Sequence, residues 1–220
     1  MNESFAREEI CRIGKSLFDR GYVHATAGNI SIQLEDALLI TPSDACLGFL
    51  DPARLAKMSR DGQQQSGDRA SKTVVLHQAI YQSAKQFSPN TQCVIHTHST
   101  HCVSLSIQRD TPELLQAITP YFVMKVGHVL LIAYDYPGSP AIAKQVAQTI
   151  TNYGQANKAI RAVMLQRLGP NVWHDSPSAA MATLEELEET AKLVCLSSTP
   201  IPALTDEQIN QLRTNFSASW

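Results

Sequence analysis

Apolar residues recur along this chain with two periods, and the switches between them mark its elements. From residue 4 to residue 20, Ile10, Ile13 and Leu17 fall three and four apart, the spacing of one helix face. Gly21 stands where a helix C-terminal cap belongs. In "ATAGNISIQL" the period drops to two, and Ile30, Ile32 and Leu34 alternate with polar residues as a half-buried strand does. "ALLITPSD" reads as its partner strand, running into a Thr-Pro turn. "SKTVVLHQAIYQSA" opens polar and predicts a helix of about three turns. "TQCVIHTH" is a β-rich strand, with Ser99 or Thr100 placed to cap a following helix.

After Pro120, "YFVMKVGHVLLIAY" predicts another strand, and "SPAIAKQVAQTITNYG" a helix closed by Gly154. "AIRAVMLQRLGPNVWH" reads as a hairpin around Gly169, Pro170 and Asn171. In "SPSAAMATLEELEETAKLVCLSS", Leu184, Leu187, Ala191 and Val194 share one stripe, so a long amphipathic helix is expected. Its acidic run from Glu185 to Glu189 is expected to be a solvated face. Strands and helices mix without strict alternation, which predicts an α/β/α sandwich on a central, mostly antiparallel sheet. No repeat or long linker interrupts it, so one domain is expected over residues 1–220.

Composition narrows the class of function. With 44% hydrophobic and 17% charged residues, the chain can bury a core and does not read as disordered. The net charge of −2, without any run of basic residues, argues against nucleic acid or an anionic membrane as partner. No apolar run approaches the ~20 residues of a spanning helix. The charged N-terminus lacks the apolar stretch of a signal peptide, and the five cysteines form no C-x-x-C pair. Reduced thiols and a cytoplasmic location are the expectation.

The chemistry concentrates in "CVIHTHSTH". Three of the chain's seven histidines, His96, His98 and His101, fall within six positions. On a strand, Val94, His96 and His98 face one way and Cys93, Ile95 and Thr97 the other. Same-face imidazoles ~6–7 Å apart along a strand can converge on one metal ion with bonds of ~2.1 Å. Two hydrogen-bonded core histidines would show the same spacing, and a metal site needs at least one more donor. Three short turns add a second theme: "TAGN" (26–29), "TPSD" (41–44) and "RASK" (69–72). Hydroxyls, glycine amides and a helix N-terminus are the parts of a phosphate cradle. Each turn alone is an ordinary cap; their joint occurrence is the signal.

Taken in order, "TAGNIS", "ITPS", "SKT" with "LH" two residues on, "HTHSTH" and "LEELEETAKL" resemble the class II aldolase/adducin family. That family includes L-fuculose-phosphate aldolase and ribulose-phosphate epimerase. Within it, "LGFLDPARL", "SGDRASK" and "TPYFVMKVGHV" are most similar to the 3-oxo-tetronate 4-phosphate decarboxylase branch. The resemblance implies a homotetramer of C4 symmetry with active sites between subunits. It implies a divalent metal, usually Zn2+, on His96 and His98. It also implies a phosphate site from Gly28, Asn29, Ser43 and Ser71, with Thr26 beside them, and a Tyr121 that reaches the neighbouring subunit's site.

Three departures from the family pattern stand out. Its catalytic glutamate falls at Thr73, its third metal histidine at Leu168, and the glycine after the Thr-Pro pair at Asp44. Aldol cleavage needs a base for the hydroxyl proton, whereas loss of CO2 from a β-keto acid needs only positive charge at the developing enolate and then an acid. Lys72, beside Thr73, could supply both; it could equally contact phosphate or lie solvated at a helix start. For the third ligand, His174 is favoured because it lies on the hairpin that normally supplies one, with His128 or water as alternatives. His101 is expected in support of the ligands, and His77 and His24 to be structural. The expected activity is metal-dependent decarboxylation of a 3-oxo-tetronate 4-phosphate to dihydroxyacetone phosphate. A sugar-phosphate aldolase and a non-catalytic adducin-like binding protein are the alternatives.

Overall fold

The computed structural model describes residues 1–220. Its centre is one eight-stranded sheet built from β1 (Asn29–Gln33), β2 (Ala37–Ile40), β3 (Ala56–Ser59), β4 (Gln64–Ser66), β5 (Cys93–His96), β6 (Val129–Ile132), β7 (Ala162–Leu165) and β8 (Gly169–His174). The spatial order is β4-β3-β2-β1-β5-β8-β7-β6. Every pair is antiparallel except β6 and β7, whose parallel pairing requires the crossover helix between them. The α/β/α sandwich expected from the mixed order of elements is the observed fold.

Six helices accompany the sheet: α1 (Glu3–Asp19), α2 (Val74–Ala84), α3 (Thr100–Gln108), α4 (Pro140–Gln155), α5 (Pro177–Leu196) and α6 (Asp206–Phe216). Ile10, Ile13 and Leu17 of α1 and Leu184, Leu187 and Ala191 of α5 pack with Ile30, Ile32 and Ile95 on one face of the sheet. Ile80 of α2 and Val146 and Ile150 of α4 pack with Val94 and Trp173 on the other. With helices on both faces, β1 is buried on both sides rather than half-buried: Ile30 and Ser31 are each fully covered. Its polar residues therefore need internal partners, which bears directly on the site.

Two expectations are corrected. "YFVMKVGHVLLIAY" is not one strand: Phe122–Val126 form a π-helical turn that ends at Gly127, and only Val129–Ile132 are extended. Phe122 and Val126 enter the core beside α5 while Val123 packs on Ile209 of α6. A short apolar run serves either conformation, and packing decides between them.

The acidic run of α5 is not uniformly solvated. Glu188 is 3% exposed. Its carboxylate accepts the backbone N–H groups of His101 and Cys102, both at 3.0 Å, and lies 2.8 Å from His101 Nδ1. It thereby caps α3. Ser99 occupies the N-cap position without making a capping bond, and its hydroxyl pairs with Thr97 Oγ1 at 2.6 Å instead.

Candidate active site

β1, β5 and β8 lie side by side, and register aligns Asn29, His96 and Asn171 across them. Their side chains project from the face covered by α2. His96 lies against β8, its Nδ1–H donated to the Pro170 carbonyl at 2.9 Å, which leaves Nε2 with a free lone pair. Burial pushes the His96 pKa down to about 3, with His98 nearby acting in the same direction, so the ring is neutral. His98 follows just past the end of β5. Its pKa is also lowered, first by burial and then by His24. The rings of His96 and His98 stand 5.1 Å apart, centre to centre, at 68°.

Both histidines open into a cleft of about 290 Å³ shared with all three turns. Gly28 has φ +85°, and a Cβ there would sit 2.8 Å from Val23 Cγ1 and 3.0 Å from the His96 carbonyl, so only glycine lets this turn touch β5. Asn29 Oδ1 is held 2.6 Å from His77 Nε2. The other two turns are zipped together: Ser43 N–H donates to Arg69 O at 2.8 Å and Ser71 N–H to Thr41 O at 3.2 Å. Ser43 Oγ donates to Ala70 O, and Ser71 Oγ lies 2.9 Å from Thr73 Oγ1. Ser71, Lys72 and Thr73 thus reach the cleft at the N-terminus of α2, where the helix dipole favours an anion. Asp44, where the resemblance places glycine, keeps that residue's left-handed backbone at φ +58°.

The structure therefore gathers Thr26, Gly28, Asn29, Ser43, Ser71, Lys72, Thr73, His96 and His98 around one cleft. It does not bring His174 there. Antiparallel register sets Asn171 opposite His96 and His174 opposite Cys93, at the far end of β5, about 10 Å along the strand. The His174 ring is held between Asp175, 2.6 Å from Nδ1, and Arg161, 3.1 Å from Nε2. His128 is elsewhere too: its Nδ1 lies 3.0 Å from Glu113, and its ring stacks on Trp220 at 4.3 Å. His101 is bound to Glu188 rather than to the histidine pair. Tyr121 is exposed and outside the cleft of its own chain.

Leu168 does line the cleft. The next residue, Gly169, presses the hairpin onto the end of β5, where a Cβ would lie 1.9 Å from the Thr97 carbonyl. Two residues near the pair were expected in other roles, Asn171 in the hairpin turn and His24 as structural, whereas Asn171 lies within β8. Asn171 is fully buried beside His96, and no protein group pairs with either end of its carboxamide. His24 stands 6.3 Å from the His98 ring. Its place four residues before Gly28 was the available signal.

The family model for the class II aldolase and adducin N-terminal domain matches residues 8–195. The chain belongs to the class II aldolase and adducin family. It is 49% identical to a 3-oxo-tetronate 4-phosphate decarboxylase of Cupriavidus necator, covering 99% of each chain. It is 41% identical to the protein of the same name from Escherichia coli strain K12, covering 96% of this chain and 97% of that one. The crystal structure of YgbL from Escherichia coli superposes with a TM-score of 0.83 at 41% identity, over 96% of this chain and 99% of the other. This family member keeps the cleft but presents leucine and threonine at Leu168 and Thr73.

His96 and His98 fit a divalent cation as a pair, being neutral, adjacent and, for His96, oriented by a backbone carbonyl as ligating histidines commonly are. No group of three His, Cys, Asp or Glu side chains converges as a cation site.

Proposed function

We propose that this chain is a metal-dependent carbon–carbon lyase that decarboxylates a 3-oxo-tetronate 4-phosphate to dihydroxyacetone phosphate and CO2. The observation that carries the reading is the shared cleft, where His96 and His98, Lys72, Thr73 and three turns rich in glycine and hydroxyls lie together. The names of the relatives at 41% and 49% identity support the same substrate class.

The phosphate would lie between the glycine turn, Ser43, Ser71 and the N-terminus of α2, where backbone amides and hydroxyls donate to it. That anchors the sugar acid with its keto oxygen toward His96 and His98. These two histidines would hold a divalent cation, Zn2+ in our reading, which would supply Lewis-acid chemistry to the reaction. The bond between the carboxylate carbon and C2 then breaks, its electron pair moves onto the C3 oxygen, and CO2 leaves. Lys72 balances the charge and returns a proton to C2. No step removes a hydroxyl proton, so Thr73 costs the reaction nothing. Outside this chemistry, we place the enzyme in the cytoplasm as a homotetramer in which exposed Tyr121 reaches the neighbouring cleft.

The test is incubation of the purified protein with the 3-oxo-tetronate 4-phosphate and a divalent metal, with triose-phosphate release coupled to NADH consumption. Metal-dependent turnover is expected. No turnover with any divalent metal, beside an active relative as control, overturns the proposal.

A further inference from the structure

We infer that His24 is the third protein ligand of this chain's metal site, replacing the donor absent at Leu168. The inference rests on the two-histidine reading above. Of the seven histidines, four are committed elsewhere. His77 is sealed beneath Asn29 and Ser31, with both ring nitrogens engaged. His101 is tied to Glu188, His128 lies under Trp220, and His174 sits at the far end of β5. Only His24 stands beside either member of the pair, edge-on to His98 at 76°.

The His96–His98 separation suits a shared ion. Two imidazoles bound tetrahedrally at ~2.1 Å place their ring centres about 5 Å apart. His96 and His98 stand 5.1 Å apart, and His24 and His98 6.3 Å. The three rings do not yet converge on one point, and the gap lies on the side of His24. That side can close. His24 is exposed, and neither of its ring nitrogens is hydrogen-bonded, so its two side-chain torsions turn freely. Its backbone is fixed, because Ala27 N–H donates to the His24 carbonyl at 2.9 Å in the turn that leads into Gly28. Ala25 inside that turn holds a left-handed φ of +47°, a strained conformation for alanine of the kind found where a ligand clamp is shaped. The ring is therefore free to turn on a fixed backbone two residues before Thr26, which lines the cleft. Leu168 lines the same cleft and offers no donor. The ligand has moved from the β7–β8 hairpin to the glycine turn, so metal and phosphate sites share one loop.

The experiment measures Zn2+ affinity by chelator competition and the visible absorption of the Co2+ form. Wild type is compared with His24→Ala, His24→Ala/Leu168→His, His174→Ala and His96→Ala. His24→Ala is expected to weaken Zn2+ by at least about tenfold, the least that even an outer-shell partner costs. It should also lower the Co2+ absorption as water replaces an imidazole. Leu168→His should restore both, and His174→Ala should match wild type. His24→Ala that binds like wild type overturns the inference and leaves the His96–His98 pair standing. Weakened binding that Leu168→His fails to restore, together with a lower unfolding temperature in EDTA, gives His24 a purely structural role and also overturns it. Wild type that binds no metal, or His96→Ala that binds as well as wild type, removes the two-histidine reading and this inference with it.

Discussion

His77 donates its Nε2–H to Oδ1 of Asn29 across 2.6 Å, while its Nδ1 accepts the Ser31 hydroxyl at 2.7 Å. Ser31 in turn lies 3.0 Å from the Tyr81 hydroxyl. A buried neutral histidine thus fixes the amide of Asn29, so that its oxygen points inward and its NH2 is left as a donor for the cleft. β1 carries these polar groups because its second face is covered by α2, and the network satisfies what burial would otherwise strand.

Asn29→Leu should weaken phosphate-bearing ligands, and it should also lower stability by about 1–3 kcal/mol because the buried His77 Nε2–H loses its acceptor. A hydrogen bond to a charged group contributes about 1.5–3 kcal/mol, so a ten- to hundredfold loss in affinity is expected. Calorimetric titration with dihydroxyacetone phosphate measures it. Equal affinity in the two proteins would remove Asn29 from the phosphate site.

The same network predicts acid sensitivity. Burial, with His96 nearby, takes the His77 pKa from 6.5 down to about 3. Above pH 6.5 the ring is neutral in both folded and unfolded chains, and its contribution is constant. Below that value the unfolded chain binds a proton that the folded one refuses until about pH 3, so stability falls as pH falls. The slope from this one group is roughly 1.4 kcal/mol per pH unit. Urea unfolding between pH 7 and pH 4 should show a shallower acid decline for His77→Gln; parallel declines would exclude His77 as a source.

Glu188→Ala removes the carboxylate that caps α3 and leaves two backbone N–H groups without their acceptor in a covered position. A loss of about 3 kcal/mol is expected by denaturant unfolding. Glu188→Gln should recover part of it, since the amide oxygen still accepts. A loss below about 0.5 kcal/mol, the usual range for surface substitutions, would show that the acidic run is solvated after all.

Gly169→Ala tests how the hairpin positions His98. Its Cβ would meet the Thr97 carbonyl at 1.9 Å, so either the hairpin or the end of β5 must move. Stability should drop by more than about 3 kcal/mol, and Zn2+ affinity should fall with it. Unchanged unfolding and unchanged metal binding would contradict the close approach.

Asn171→Val should leave stability equal to or above that of wild type, since no protein group pairs with the carboxamide it removes. A clear loss of stability on thermal unfolding would show that this amide is satisfied within the fold.

Much of this was legible in the order of residues. A period of two placed His96 on the cleft face of β5, although the strand ends there and His98 lies just past it; a period near 3.6 marked α1 and α5, and three turns rich in glycine and hydroxyls supplied residues that line the cleft. These are properties of neighbours in the chain, and neighbours determine them. Register is different. His174 was placed on the correct hairpin, yet one-to-one pairing of β5 with β8 put it opposite Cys93 and brought Asn171 to His96. Glu188 looked solvated until α3, 86 residues away in sequence, supplied the amides it covers. His24 gained its significance from the fold that set it against His98. The sequence by itself determined which residues could do chemistry and which face each would take. Which of them meet was decided by the tertiary structure, because cross-strand register and burial depend on the packing of distant segments that no local pattern contains.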